Sequence, residues 1–169
     1  MSRERLFQHL KVGLISAVAI LLVGALVTRP VAETQIALFF AVLVLIATFL
    51  RIDAGDGSIG FEAAVVFGAL VIFHSPSIAL VSVAVGAGAF ALYQAAVSRS
   101  WQVEPFYNVA QLALSYLIVG ALYAVAVAGD AQPAAKMAGF TLLLVGYVGV
   151  HLLFVATRRY FEEEAIPID

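Results

Sequence analysis

The stretch EPFYNVAQLALSY places Glu104, Asn108, Gln111 and Ser115 at successive spacings of four, three and four. On a helix these spacings set a carboxyl, two carboxamides and a hydroxyl along one stripe. The chemistry on offer is hydrogen bonding, either between helices as structural glue or to a ligand in a pocket. Further along, Tyr147 and His151 stand one turn apart, so a tyrosine–histidine hydrogen bond or stack is available there. Tyr116 and Tyr123 add hydroxyls on another side of the helix that carries the stripe.

Other chemistry is harder to assemble. With no cysteine in the chain, disulfides, thiolate catalysis and cysteine-ligated metal sites are excluded. A haem between two histidines needs partners at one depth, but in the segments laid out below His151 lies about 9 Å from one membrane face and His74 roughly 20 Å beyond it. A single-histidine pigment ligand stays open. The sequence RIDAGDGSIG has aspartates near glycines but not the spacing of a calcium loop, and reads as a turn. No phosphate cradle, nucleophile elbow or H-E-x-x-H occurs. The expectation is therefore no catalytic residue, no metal and no cofactor.

The elements that must position these side chains lie in lipid. Of 169 residues 63% are hydrophobic and 12% charged, against about a quarter charged in ordinary soluble domains. Apolar runs suited to spanning helices, which need about 17 to 20 residues, occur at 12–28, 34–50, 58–74, 77–97, 105–129 and 136–157. The expected fold is all-α: one polytopic transmembrane domain of six helices, using the whole chain and leaving no separate nucleic-acid-binding module. MSRERLFQHLK is basic and amphipathic and is expected to lie along the inner surface before a retained first span.

The boundary at HSPS decides the topology. Basic residues gather on the cytoplasmic side of short loops. With six spans and the amino terminus inside, Arg3, Arg5, Lys11, Arg51, Arg99, Arg158 and Arg159 fall inside and Arg29 and Lys136 outside. A single crossing over 58–97 would erase most of that bias. HSPS is thus expected to be an outer turn, with Pro76 in the first turn of the next helix and Ser75 as its cap. A re-entrant hairpin gives the same parity. Both termini are expected in the cytoplasm.

Remaining features have plain readings. Trp101 and Tyr160 fit an interfacial aromatic belt. Ser82, Ala84, Gly86, Ala87 and Gly88, and Gly139, Gly146 and Gly149, make helices four and six small-sided for close packing. Pairs such as Ala37–Ala41 and Ala64–Gly68 are too common in this chain to weigh. Glu62 suits a helix start facing headgroups. Glu162–Glu164 after RRYF reads as a solvated end meeting arginines.

From about residue 36 to 123, GFEAAVVFGALVIFHSPSIALVSVAVGAGAFALYQ followed by FYNVAQLALSYLIVGALY resembles the membrane-associated sensor regions that precede bacterial HD-GYP and GGDEF signalling domains. There, a helix pair joined by a short proline turn, here HSP, is followed by a basic loop and a helix opening F-N-x-A-x-x-x-L-S. In this chain that opening is Phe106–Ser115, with Tyr107 inserted before Asn108. The resemblance implies a multi-pass, non-enzymatic sensor or binding module of the bacterial inner membrane. Its partners would be the lipid bilayer and a cytoplasmic output domain. The family continues into further spans and an output domain, whereas this sequence ends at IPID, as a fragment or a stand-alone relative would. No cyclase or phosphodiesterase chemistry carries over.

A six-span, alanine-rich bundle is also similar to the substrate-binding S components of energy-coupling-factor transporters, which capture a small molecule in an outward pocket. An accessory subunit of a larger membrane complex is the third alternative. On the binding readings, Asn108, Gln111 and Ser115, closed over by Tyr147 and His151, would hydrogen-bond a small polar-headed ligand.

Overall fold

The computed structural model describes residues 3–50, 52–54, 57–59, 61–127 and 133–162. Among them are six α-helices: α1 (Arg3–Thr28), α2 (Val31–Phe49), α3 (Glu62–Phe73), α4 (Pro76–Ser98), α5 (Val103–Ala126) and α6 (Pro133–Glu162). All but α3 are long and apolar enough to cross a membrane. Strands β1 (Ile52–Ala54) and β2 (Gly57–Ile59) pair antiparallel with Asp53 opposite Ser58, so part of the segment read as a plain turn is a small hairpin. Arg51, Asp56, Gly129, Glu163, Glu164 and the IPID end lie outside the described residues.

Three boundaries differ from those read from apolar runs. First, α1 begins at Arg3 rather than Val12, so the basic segment continues the helix instead of lying along a surface. Lys11 is held by a counter-charge: its Nζ donates to Glu104 Oε2 and sits over the Phe7 ring, 4.4 Å from the centroid. Second, α3 begins at Glu62, because Gly57–Ile59 is extended. Twelve residues rise only about 18 Å, against about 30 Å of hydrocarbon. Third, α6 extends to Glu162, and its Arg158 forms an ion pair with Glu104 Oε1 at 3.2 Å.

HSPS is a turn between two helices. The His74 N–H closes α3 on the Leu70 carbonyl at 2.9 Å, and His74 takes a left-handed φ of 51°. Pro76 opens α4 in its first turn, as its missing N–H allows. The Ser75 hydroxyl does not cap α4. It pairs with Ser77 Oγ at 2.9 Å, while the Ser75 carbonyl accepts from the Ile78 N–H at 3.2 Å.

Two small-sided helices meet at the α2–α4 seam. Ala37, Ala41 and Val44 of α2 are buried against Ser82 and Gly86 of α4. A Cβ on Gly86 would lie 2.9 Å from Val44 Cβ and closer still to the Ala41 carbonyl oxygen. The Ser82 hydroxyl donates to the Ile78 carbonyl of its own helix at 2.6 Å and lies 3.2 Å from the Ala37 carbonyl across the seam. Lipid supplies no hydrophobic drive between helices, so this close approach provides dispersion contacts that larger residues would prevent. Facing away from the seam, α1 and α6 leave Ile20, Val23, Val27, Leu152 and Leu153 exposed, as a bilayer requires.

Candidate functional site

The starts of α1, α3 and α5 and the ends of α2, α4 and α6 share one end of the bundle, where Lys11, Glu104 and Arg158 meet. At this basic end α3 stops short, and a cavity of about 400 Å³ remains beside its first turn. Its wall takes Thr48 from α2, Glu62 and Ala63 from α3, and Ala87, Phe90, Ala91 and Gln94 from α4. From α5 it takes Pro105, Asn108, Val109, Gln111 and Leu112, and from α6 Tyr147 and His151. The volume falls within the usual range for small-molecule pockets, about 300–1,000 Å³.

Of the residues singled out in the sequence, Asn108, Gln111, Tyr147 and His151 come together in this wall. Ser115 does not. It lies one turn beyond Gln111, is almost fully buried, and returns its hydroxyl to the Gln111 carbonyl at 2.8 Å. Glu104, first on the same stripe, is the anion of the Lys11–Arg158 clamp and does not line the cavity. The stripe therefore divides into an ion-paired end, a cavity-lining middle and a self-satisfied far end.

The α6 side of the wall is aromatic. Tyr147 stacks on Tyr116 with centroids 4.9 Å apart and receives the edge of Phe67 at 5.4 Å. His151 lies near-parallel to the Tyr147 ring with centroids 6.1 Å apart, so the tyrosine–histidine pair takes the stacked form. Packing on Phe67 and Tyr116 fixes the Tyr147 ring, which sets one wall of the cavity independently of any ligand. Gln111 Nε2 is buried and has no hydrogen-bond partner within the protein. A buried amide N–H₂ left without a partner costs about 1–3 kcal/mol, which a ligand acceptor or water would recover.

Three polar wall residues were not picked out from the sequence as site residues. Glu62, read as facing headgroups, instead lines the cavity and has Oε2 buried. The signal was available in Gly60, which weakens a helix begun at Ser58 and favours a later start at the carboxylate. Gln94 continues the Ala87–Ala91 face at a spacing of three, the same stripe logic that identified Gln111. Thr48 gave no signal, since its hydroxyl bonds the Val44 carbonyl at 2.8 Å as any intrahelical threonine can.

Among the described residues no group of three or more histidine, aspartate and glutamate side chains is arranged to hold a metal ion. The arrangement offers an amide-rich, aromatic-walled cavity with a carboxylate at its edge. The chain matches no protein-family model, no curated protein and no solved structure.

Proposed function

We propose that the protein is a non-enzymatic, multi-pass sensor or binding module of the bacterial inner membrane that takes a small polar-headed ligand into the cavity beside α3. The observation carrying this reading is the convergence of Asn108, Gln111, Tyr147 and His151 on one cavity with a buried amide donor unspent inside the protein. Intramembrane polar groups are costly, and a cluster around open space argues for an occupant more than for helix glue.

The cavity lies at the end where the described Lys11, Arg99 and Arg158 gather, which the positive-inside rule assigns to the cytosol. A transporter's substrate-capturing subunit presents its pocket outward, so this placement favours the sensor reading over that alternative. It also sets the ligand site one turn from Glu104, which holds the first helix to the last. Occupancy can thereby reach the cytoplasmic output domain or membrane partner that such a sensor serves.

The test is to survey by mass spectrometry what accompanies the detergent-extracted protein, then measure thermal stabilisation by any compound found. Alanine at Asn108 and at Gln111 should abolish that stabilisation. Undiminished stabilisation in both variants would return these residues to interhelical hydrogen bonding.

A further inference from the structure

We infer that the protein holds one anionic phospholipid at the α4–α5 turn, its acyl chain in a groove between α1 and α5 and its phosphate at Arg99. The groove has a volume of about 300 Å³ and shares no wall residue with the cavity beside α3. Helix α1 lends it Val12 and Ile15, α5 lends Val103 and Phe106, and the turn lends Trp101 and Gln102. Each helix pair is three residues apart and so shares one face. Val12 and Val103 are exposed, so the groove opens onto the apolar flank that meets acyl chains. Trp101 lies parallel to Phe106, with planes 7° and centroids 6.5 Å apart, yet stays 76% exposed. An indole at such a helix end belongs at the level of the lipid ester groups.

The polar half of the lipid has its own place. Gln102 also borders a second hollow, of about 390 Å³, whose rim carries Ser98 and Ser100. Between those serines stands Arg99, exposed and, among the described residues, in no ion pair. Its φ of 52° is a left-handed conformation that glycine adopts freely and arginine does not. The turn thus keeps a cation where the backbone favours glycine. A guanidinium donates to phosphate oxygens in pairs, and the Ser98–Ser100 hydroxyl pair, 3.0 Å apart, leaves one further donor. Glu104, the carboxylate nearest in sequence, is offset by Lys11 and Arg158 and does not repel a phosphate here. Gln102 makes no side-chain cap on α5, which leaves its amide N–H₂ for a lipid ester carbonyl.

Trp101 is the one tryptophan of the chain, so its fluorescence reports this groove. The full chain is reconstituted in phosphatidylcholine bilayers, and brominated phosphatidylglycerol or brominated phosphatidylcholine with the same acyl chains is added as quencher. The anionic quencher should act at a mole fraction about fivefold lower than the zwitterionic one, the size of one arginine at an anionic lipid. Arg99→Gly, whose backbone suits the turn, should bring the two to parity. Arg159→Gln, which deletes an exposed cation at the same end of α6, should leave the preference intact. Inorganic phosphate at matched ionic strength should not compete.

Equal quenching by the two lipids, or a preference that survives Arg99→Gly, overturns the inference. A preference lost equally in Arg159→Gln reduces it to general surface charge and overturns the site. Competition by inorganic phosphate makes free phosphate the occupant in place of a lipid, and quenching by neither lipid removes the groove as well.

Discussion

Gly86 and Gly88 sit two residues apart on α4, and replacing each by alanine isolates the cost of closing the α2–α4 seam. A Cβ on Gly86 would lie 2.9 Å from Val44 Cβ, so α2 and α4 must separate by at least about 0.6 Å to restore ordinary carbon–carbon contact. The Ala41 carbonyl oxygen, closer still, is backbone and cannot rotate away. Opening the seam also takes the Ala37 carbonyl, already 3.2 Å from the Ser82 hydroxyl, out of its reach and leaves that hydroxyl to Ile78 alone. A Cβ on Gly88 meets nothing within 4 Å. Both substitutions carry the same helix-propensity gain of up to about 1 kcal/mol, so it cancels between them. The difference is the overpacking cost, about 1–3 kcal/mol. Reversible unfolding in mixed micelles should show Gly86→Ala less stable than Gly88→Ala by that amount. Equal stabilities would refute the argument that backbone contact governs this seam.

Glu104→Ala should destabilise by about 1–3 kcal/mol, since it strands the buried Lys11, whereas Lys11→Met should cost less because the partly exposed Glu104 carboxylate keeps its ion pair with Arg158; chemical unfolding of both variants checks the order. Ser82→Ala should cost about 0.5–1.5 kcal/mol through loss of the hydroxyl that bonds the Ile78 carbonyl at 2.6 Å and touches the Ala37 carbonyl across the seam at 3.2 Å, measured in the same assay. Because the chain has no cysteine, Arg29→Cys and Ser98→Cys report the two ends separately. An impermeant thiol reagent added to intact cells should label the first and reach the second only after permeabilisation, and the reverse pattern would invert the proposed orientation.

Segments whose boundary depends on local residues were legible in the sequence. HSPS announced itself through Pro76, and the long apolar runs located the helices, because spanning a bilayer and beginning a helix at proline are both local requirements. What depended on distant partners was not legible. The start of α1 rests on Lys11 finding Glu104, 93 residues away. Ala37 and Ala41 looked unremarkable in an alanine-rich chain until Gly86 was set against them. The stripe spacing brought Asn108 and Gln111 to one wall with Tyr147 and His151, but a spacing gives an angle around the helix and not a depth. Ser115 and Glu104 fell beyond the cavity for that reason.

The empty volume exists because α3 is short, while the neighbouring helices run their full length past it. Its size is thus a matter of helix length more than of wall composition. Each added turn of α3 would drive a stopper about 5.4 Å further into the hole. A bundle of this kind can be retuned for a larger or smaller guest by insertions or deletions between the hairpin and Glu62, without altering a single contact in the α2–α4 seam.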